Sequence, residues 1–339
     1  MASRRSDNKF SSVHDLPQLY TRPSSASLLS TLGRLKVQPA AWGDIAAASQ
    51  LDEANLPRYL TSIIASSLAW IEEESVREEI WEAASSRLSE RSGRTAIPSM
   101  SRTFSIPTST TSSVSITLRE PSLTADNLGH KTWLASYLLA KRLPSLVPYL
   151  PAFERGGQVI ELGAGTGLVG VAIAAMFDVH VQLTDLPAIV PNLRANVTAN
   201  SLSITQGSTS VGELDWSSSP DCCIEQHEAY DVVVAADPLY SPQHPAWLVA
   251  TIGCVLKRDL AARVVIELPL REAYAPEIRE LKSRMAESGL MTLVQGTERG
   301  FEDWEENQRG MEKTEVDCWW AVWRWRPLSP TLGKGDTID

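Results

Sequence analysis

The stretch "VIELGAGTGLVG", residues 159–170, combines an acidic side chain with unusual backbone freedom. Glu161 is followed by a glycine at every second position, namely Gly163, Gly165 and Gly167. Glycine adopts left-handed backbone conformations without strain and lets another group approach the main chain closely. A turn of this kind, placed between an apolar strand and a helix, is typical of a site for a nucleotide-like ligand.

Three nucleotide-like ligands are candidates for this turn: a nucleoside triphosphate, a dinucleotide and S-adenosylmethionine. A phosphate-binding P-loop needs Gly-Lys-Ser/Thr, but Leu168 follows Gly167. The dinucleotide fingerprint G-x-G-x-x-G/A needs a small residue where Leu168 stands, so the leucine weakens that interpretation without removing it. S-adenosylmethionine carries no phosphate and needs no anion-binding loop. A glycine turn that lets the ligand approach the main chain is therefore sufficient for it.

Other polar and aromatic residues follow the neighbouring predicted strands. Asp185 ends the strand "VHVQLTD", where a carboxylate can hold both hydroxyls of a ribose. Trp216, in "LDW", can bring an aromatic ring beside an adenine, and Asp237 follows the strand "YDVVVAA". Ligands of open α/β sheets bind outside the carboxyl ends of the strands. We therefore expect these residues to converge on one cleft.

The elements that must position these residues alternate along the chain from residue 157 onward. Apolar strands are predicted at "QVIELG", "VHVQLTDL", "YDVVVAADPLY" and "ARVVIELPL", with helices between them. Near-continuous apolar strands that alternate with helices indicate a parallel sheet covered on both faces. The last strand, "DCWWAVWRWR", is expected to be antiparallel, with Trp319, Trp323 and Trp325 on one face and Trp320 on the other. The predicted fold class is α/β, with a Rossmann-like sheet and helices on both faces.

The sequence resembles the family-16 group of seven-strand protein lysine methyltransferases. The similar stretches extend over residues 115–326, nearly two thirds of the 339 residues. They are "EPSLTADNLGHKTW", "ELGAGTGLVG", "LTDLP", "LDW", "DPLYSPQHP", "IELPLR" and "CWWAVW". Within the group, the first and fifth of these are most similar to fungal enzymes that methylate a lysine on translation elongation factor 2.

The resemblance implies a seven-strand sheet, S-adenosyl-L-methionine as cofactor and a protein lysine as substrate. It implies a catalytic pocket for the target lysine at Asp237 and Tyr240. The cofactor contacts that it implies are Trp133, Gly163, Ala164, Gly165, Asp185, Trp216 and Ala236. Glu161 and Gly167 complete the candidate set, since a carboxylate beside the loop can fix the cationic amino end of the cofactor.

Most of these residues also have a purely structural interpretation. Asp185 suits a helix N-cap, and Asp237, which precedes a proline, suits a turn. Trp133 and Trp216 can be core aromatics. His244 invites a general-base interpretation, but its place between turn residues favours a structural role.

The acceptor lysine sets the chemical problem for such an enzyme. A free lysine has a pKa of about 10.4, so its neutral form at pH 7 costs about 4.6 kcal/mol. Burial and the nearby sulfonium charge lower that pKa, whereas a carboxylate alone raises it. We therefore predict that Asp237 captures and aims the ammonium and that Tyr240 helps to close the channel. The proton is predicted to leave to water before methyl transfer.

The rest of the chain is predicted to form simpler segments. Apolar residues at helical spacing over 56–88 predict two or three helices that make a small accessory unit. The predicted organisation is a disordered tail (1–30), a helical accessory region (31–92), a Ser/Thr-rich linker (93–113), the methyltransferase domain (114–328) and a second disordered tail (329–339).

The composition argues against several partner classes. The chain has 31 Lys and Arg against 41 Asp and Glu, and its formal net charge is −10. Nonspecific nucleic-acid binding depends on basic residues, so a basic protein partner is favoured over nucleic acid. No apolar run approaches the roughly 18 residues of a membrane span, so no membrane partner is expected. We expect a cytoplasmic monomer.

The cysteine and histidine pattern predicts no metal site. The four cysteines, Cys222, Cys223, Cys254 and Cys318, include no C-x-x-C pair, and the five histidines are scattered. Free thiols in a reducing compartment are therefore expected.

Three other functions remain open on the sequence alone. A methyltransferase of nucleic acid or glutamine usually carries D/N-P-P-Y/F, whereas Leu239 stands at the second proline position here. An NAD(P)-dependent oxidoreductase is disfavoured by Leu168. A non-catalytic scaffold with the same fold is the third alternative.

Overall fold

The computed structural model describes residues 13–36, 55–90, 99–122, 128–218, 229–302 and 314–327. The chain divides into two compact units. The first comprises Met1–Phe104, Arg119–Lys131 and Phe301–Thr314, and the second comprises Ser105–Leu118, Thr132–Gly300 and Glu315–Asp339. Within the described ranges, no helix is both long and apolar enough to cross a membrane.

The described part of the first unit contains the helices α1 (Ser25–Arg34), α2 (Leu56–Ala65) and α3 (Glu74–Ser89). Helix α3 contacts both α1 and α2. Pro57 stands in the first turn of α2, where the missing N–H has no helical partner to lose. The three helices share one apolar cluster, which includes Leu28, Leu32, Leu56, Leu60, Ile63 and Ile80.

The structure differs from the predicted boundaries at the N-terminus. Residues 1–30 were expected to form a disordered tail, yet α1 begins at Ser25 and Leu16 is only 2% exposed. Two aromatic side chains hold this segment to the helical unit: the Tyr59 hydroxyl donates to the Pro17 carbonyl and the Trp70 indole donates to the Pro23 carbonyl, both at 2.9 Å. The serine-rich composition conceals the few apolar residues that anchor the segment.

A second difference lies in the predicted linker, residues 93–113. Strand β1 (Met100–Pro107) begins inside it and pairs with β2 (Ser113–Glu120) in a separate two-stranded sheet. The alternation over "SVSITLRE" predicts β2 correctly. Asn200 holds β2 by a pair of bonds, because its amide accepts from the Thr117 N–H at 2.9 Å and donates to the Thr117 carbonyl at 2.8 Å.

The second unit is built on a seven-stranded sheet with the order β5-β4-β3-β6-β7-β9-β8. Its strands are β3 (Gln158–Leu162), β4 (His180–Asp185), β5 (Ser208–Glu213), β6 (Val232–Ala236), β7 (Arg263–Pro269), β8 (Leu290–Glu302) and β9 (Thr314–Trp325). Its helices are α4 (Leu134–Leu146), α5 (Leu168–Met176), α6 (Val190–Ala199), α7 (His244–Val255) and α8 (Ala275–Glu287).

The pairing of the strands defines where a ligand can bind. Strand β3 pairs in parallel with both β4 and β6, and β9 pairs antiparallel with β7. The chain leaves β3 toward β4 on one side and later returns to its other side as β6. This change of direction is a topological switch point, and its carboxyl edge is where open α/β sheets bind ligands. The predicted α/β class and seven-strand sheet are confirmed.

The tryptophans of β9 occupy the faces predicted for them. Trp319, Trp323 and Trp325 belong to a buried apolar cluster shared with α7 and α8. Trp320 lies on the opposite face, where the Arg142 guanidinium is 4.5 Å from its ring centroid. Alternation of large aromatic residues therefore gives the correct register for this strand.

The polar edge strand β5 was not predicted from sequence. Strand β5 has the polar sequence "STSVGE" and lies at the edge of the sheet. Its backbone pairs with β4 in six consecutive positions, from His180↔Ser208 to Asp185↔Glu213. An edge strand needs no apolar run, because hydrogen bonds to one neighbour hold it and its faces are partly open.

Two of the four cysteines lie in the described ranges. Cys254 and Cys318 are not joined in a disulfide, and Cys318 is buried. Cys222 and Cys223 lie outside the described residues, as does the predicted tail at 329–339.

Candidate active site

The glycine-rich turn after β3 has the backbone conformation that its sequence predicts. Gly163, Gly165 and Gly167 have φ angles of 72°, 57° and 93°. A Cβ on Gly163 would lie 3.2 Å from the Trp216 ring, and a Cβ on Gly167 would lie 2.8 Å from Leu193. Both the torsion angles and the crowding therefore require glycine.

The turn is fastened to the end of β4. The amides of Gly163 and Ala164 both donate to the Thr184 carbonyl, at 3.0 and 2.9 Å. The amide of Gly165 donates to Oδ2 of Asp185 at 2.7 Å. These bonds place the loop and the Asp185 carboxylate side by side at the carboxyl edge of the sheet.

Asp185 accepts two backbone hydrogen bonds, and it is partly exposed. Its Oδ1 takes the Leu186 amide at 2.7 Å, in addition to the Gly165 bond on Oδ2. A carboxylate that accepts the hydrogen bond of a loop amide leaves that amide unable to bind a phosphate, and its negative charge repels the phosphate. The same carboxylate can bind ribose hydroxyls or cationic groups. The loop therefore fits S-adenosylmethionine better than a dinucleotide.

The Glu161 carboxylate is buried next to the first turn of α5. The side chain belongs to a residue that is 1% exposed, and its Oε2 accepts the Gly170 amide of α5 at 2.8 Å. Burial raises the pKa of Glu161 to about 8, although the bond from Gly170 opposes the shift. This bond holds the loop to the first turn of α5, and the cofactor contact expected of Glu161 stays a prediction.

Trp216 forms a wall beside the glycine loop. It begins a short 3-10 helix, Trp216–Ser218, that follows β5. Its ring faces Gly163 and lies 5.8 Å from the His244 ring, centroid to centroid. Trp216 is only partly buried, and its contact with the cofactor stays a prediction.

The loop after β6 carries the two residues predicted for the lysine pocket. Asp237 follows Ala236, which is 8% exposed, and has a φ of 52°, a left-handed conformation that is costly for most non-glycine residues. Its amide donates to the Glu267 carbonyl of β7 at 2.8 Å. Tyr240 is 47% exposed. We refer to residues 237–240 as the acceptor loop.

The charges around Tyr240 link the two halves of the site. Burial raises the pKa of the Tyr240 phenol, and the negative charges of Asp185 and Asp237 raise it further. The cofactor-side carboxylate and the acceptor-loop carboxylate therefore both act on this phenol. A phenol that stays protonated can donate a hydrogen bond.

His244 lies beneath the acceptor loop at the start of α7. Its Nδ1 is 3.0 Å from the Pro238 carbonyl, and its ring meets the Tyr240 ring edge to face at 4.2 Å between centroids. Burial lowers the pKa of His244, although the bond to Pro238 opposes the shift. The structural interpretation of this histidine agrees with the geometry.

Trp133 precedes α4 and stands near a cation that the sequence analysis did not assign. The Arg271 guanidinium carbon is 5.7 Å from the Trp133 ring centroid. The preceding residue, Thr132, shares a 2.7 Å hydroxyl contact with Thr166 of the glycine loop. This contact joins the start of α4 to the glycine loop, and the cofactor contact of Trp133 stays a prediction.

Glu267 is a buried acid that the sequence analysis did not assign. It is 0% exposed in the middle of β7, and its Oε2 lies 3.3 Å from Nε of Arg142. Burial raises its pKa to about 8, against the opposing effect of Arg142. The sequence feature that could have identified Glu267 is the presence of a single acidic residue inside the apolar run "VVIELP".

Comparison with known proteins agrees with this geometry. A family model described as lysine methyltransferase matches residues 112–275. The protein-lysine N-methyltransferase EFM2 of Saccharomyces cerevisiae is 39% identical over 251 residues, which cover 68% of this chain and 58% of that protein. The protein-lysine N-methyltransferase rrg1 of Schizosaccharomyces pombe is 32% identical over 316 residues, which cover 92% of this chain and 97% of that protein.

Solved structures are more distant. The magnesium protoporphyrin IX methyltransferase of Synechocystis, solved with bound S-adenosylmethionine, is 15% identical with a TM-score of 0.39 and covers 59% of this chain and 86% of that one. The strand order itself, and not this likeness, establishes the fold. Since one relative matches almost the whole of both chains, the protein belongs to the lysine methyltransferase family, whose cofactor is S-adenosyl-L-methionine.

Proposed function

We propose that this protein transfers a methyl group from S-adenosyl-L-methionine to a lysine side chain of a protein, and that translation elongation factor 2 is that protein. The observation that carries the proposal is the position of two carboxylates at the carboxyl edge of the sheet. Asp185 ends β4 and accepts the Gly165 amide of the glycine loop, and Asp237 follows β6 and donates its amide to the Glu267 carbonyl. Strands β4 and β6 flank β3, which supports a ribose site and an ammonium site beside one another.

The cofactor side of the site consists of the glycine loop and its neighbours. The backbone of Gly163, Ala164 and Gly165 leaves room for a close approach, and Asp185 offers its carboxylate to ribose hydroxyls. The further residues proposed to contact or frame the cofactor are Trp133, Gly167, Trp216 and Ala236. Glu161 holds the loop through its bond to the Gly170 amide, and its interaction with the cationic amino end of the cofactor is part of the same proposal.

The acceptor side consists of Asp237 and Tyr240. Asp237 receives the cationic ammonium and aims the amine along the channel that Tyr240 closes. A proton leaves to water, because the carboxylate raises the pKa of the amine and is unsuited to be the base. Bound S-adenosylmethionine would supply the methyl group: the neutral nitrogen would bond to the methyl carbon as the bond from that carbon to sulfur breaks, which leaves a neutral thioether.

Positioning supplies much of the rate in such a displacement, since the cofactor already carries a good leaving group. Holding the nitrogen, carbon and sulfur in line replaces a bimolecular encounter by an oriented one. The rigid hydrogen bonds of the two loops serve this purpose. They fix the glycine loop to β4 and the acceptor loop to β7.

Two observations support elongation factor 2 as the substrate. The stretches "EPSLTADNLGHKTW" and "DPLYSPQHP" resemble those of the fungal enzymes that methylate this factor, and the similar proteins of two fungi are protein-lysine N-methyltransferases. The net charge of −10 also favours a basic partner. The monomeric state and the cytoplasmic location stay predictions from the sequence.

The test is incorporation of label from methyl-labelled S-adenosylmethionine into a lysate that lacks endogenous methylation. The full chain is compared with Asp237→Asn, because asparagine tolerates the left-handed conformation at this position and removes only the charge. We expect one labelled protein at the size of elongation factor 2, absent with the variant. Mass spectrometry then locates the modified lysine.

Other outcomes point to other functions. Label in RNA or on glutamine would overturn the lysine proposal in favour of the nucleic-acid or glutamine enzymes. Label in a protein of a different size would retain the reaction and exclude the substrate. Binding of S-adenosylmethionine without any transfer would favour a scaffold.

A further inference from the structure

His244 lies at the meeting point of three aromatic side chains. The centroid of its ring is 4.2 Å from that of Tyr240 and 5.8 Å from those of Trp216 and Trp247. The residue is 8% exposed and begins α7. It therefore contacts the cofactor-side wall and the acceptor loop at once.

The hydrogen bond of His244 fixes its tautomer. The Pro238 carbonyl, 3.0 Å from Nδ1, can only accept, so Nδ1 carries the proton. The Tyr240 amide nitrogen lies 3.5 Å from the same Nδ1, a longer distance than that to Pro238. A protonated Nδ1 cannot accept a hydrogen bond from this amide. Since burial also disfavours the cation, the ring is neutral with its proton directed at Pro238.

His244 supplies two of the contacts that hold the acceptor loop. The Asp237 amide donates to Glu267. The Pro238 carbonyl accepts from His244, and the Tyr240 ring packs on the histidine ring. A loop that contains a strained residue at φ 52° keeps that conformation only when its surroundings determine it.

We infer that His244 is a positioning residue that holds Asp237 and Tyr240 in the geometry that receives the target lysine, chiefly through its hydrogen bond to the Pro238 carbonyl. This inference rests on the proposed function of the acceptor loop. A general-base role is disfavoured, because the protonated nitrogen is engaged with the backbone and the ring is enclosed by aromatic side chains.

Three substitutions separate the hydrogen bond from the ring. In His244→Asn, the side-chain amide nitrogen takes the place of Nδ1 and can still donate to Pro238. In His244→Phe, the ring remains and the donor is lost, and His244→Ala removes both. Ile252→Val serves as the matched control, since it removes one buried methyl group from the same helix, away from the site.

The kinetic test measures kcat and KM with the protein substrate, and it also measures the dissociation constant of S-adenosylmethionine. We expect H244F and H244A to lower kcat/KM by about 10-fold or more, with cofactor affinity within about twofold of the wild type. H244N is expected to keep kcat/KM within about threefold of the wild type. I252V is expected to leave both kcat/KM and the dissociation constant of S-adenosylmethionine unchanged. A general base would be lost equally in H244N and H244A, so equal impairment of these two overturns the inference.

A second measurement does not depend on the substrate. Hydrogen–deuterium exchange of the amides at 239–244 is expected to accelerate in H244F and to stay at the wild-type rate in H244N. Unchanged exchange in H244F overturns the inference even where the lysine reaction is confirmed. Accelerated exchange in H244F with rescue in H244N supports it even where the labelled substrate is a different molecule. Parallel loss of cofactor affinity and activity also counts against it, because it places the effect at Trp216.

Discussion

The amide of Asp237 donates to the carbonyl of Glu267 at 2.8 Å, one step beyond the point where Ala236 of β6 pairs with Glu267 of β7. The parallel ladder between these strands therefore continues into the first residue of the acceptor loop. The left-handed φ of Asp237 then turns the chain away from the sheet. The carboxylate is thereby presented at the carboxyl edge, from a residue whose amide still takes part in the hydrogen bonds of the sheet.

The first prediction concerns the charge of Asp237. Hydrogen bonds to charged groups contribute about 1.5–3 kcal/mol, so replacing the carboxylate by an amide is expected to lower kcat/KM by about 10- to 150-fold. Asparagine accepts a positive φ readily, so D237N should fold as the wild type does. Steady-state kinetics with the protein substrate, alongside the dissociation constant of S-adenosylmethionine, provide the measurement. Full turnover by D237N would show that the carboxylate does not orient the ammonium.

The second prediction concerns Gly163, where a Cβ would lie 3.2 Å from the Trp216 ring at a φ of 72°. Gly163→Ala is expected to weaken S-adenosylmethionine binding by about 10-fold and to destabilise the fold by about 1 kcal/mol, since a left-handed alanine costs about that much. Isothermal titration and chemical denaturation measure the two effects.

Gly253 provides the matched control for this substitution. It lies within α7, and a Cβ there would meet nothing within 4 Å. Gly253→Ala should leave cofactor binding unchanged and stabilise the protein by up to about 1 kcal/mol, because alanine is the better helix former. Equal loss of binding in both variants would mean that the crowding at Trp216 is irrelevant.

The third prediction concerns Asn200, which is 3% exposed and joins β2 to the end of α6. Its amide group makes hydrogen bonds of 2.9 and 2.8 Å to Thr117 and of 2.8 Å to the Asn196 carbonyl. Asn200→Ala is expected to lower the free energy of unfolding by about 3 kcal/mol, at about 1 kcal/mol for each bond. Urea denaturation checks the value.

The neighbouring Ser203 provides a control, because it also bonds to the backbone of β2. Its exposed hydroxyl donates to the Ser115 carbonyl at 3.1 Å. Ser203→Ala is expected to change stability by less than about 0.5 kcal/mol, because water replaces an exposed partner. A similar loss in both variants would show that β2 is not held by the buried amide.

Much of this fold was predictable because its strands are buried on both faces. The apolar runs that end at Leu162, Ala236 and Pro269 can bury their side chains only in a sheet that is covered on both faces. The glycines of the loop were equally informative, since left-handed torsion angles and close contacts leave few alternatives. Strand β5 lacked both signals, because a polar edge strand depends on the backbone of its neighbour.

The chemistry of the site was predictable in its residue types and less so in their directions. Asp185, Asp237 and Tyr240 follow the strand ends, and parallel strands bring those ends to one edge. The direction of Glu161 depends on where the first turn of α5 meets β3, which no local pattern shows. The role of His244 depends on contacts with residues as distant along the chain as Trp216.

The last prediction concerns the pH dependence of stability, through Glu161. Burial raises its folded-state pKa to about 8, from the ordinary value of 4.5. Between these two values the folded protein holds a proton that the unfolded chain has lost. The free energy of unfolding changes with pH in proportion to the protons bound by the unfolded state minus those bound by the folded state. That difference is negative here, so stability falls as pH rises from about 5 to 8.

The slope from one such group is at most about 1.4 kcal/mol per pH unit. Glu161→Gln cannot titrate, and its amide oxygen can still accept the Gly170 N–H, so this variant is expected to lose that part of the slope. Glu154→Gln, which changes an exposed carboxylate by the same chemistry, should keep the wild-type slope. Urea denaturation at several pH values between 5 and 8 measures all three proteins. Identical slopes for E161Q and the wild type would mean that Glu161 is ionised in the folded protein, with its charge stabilised by the amides at the start of α5.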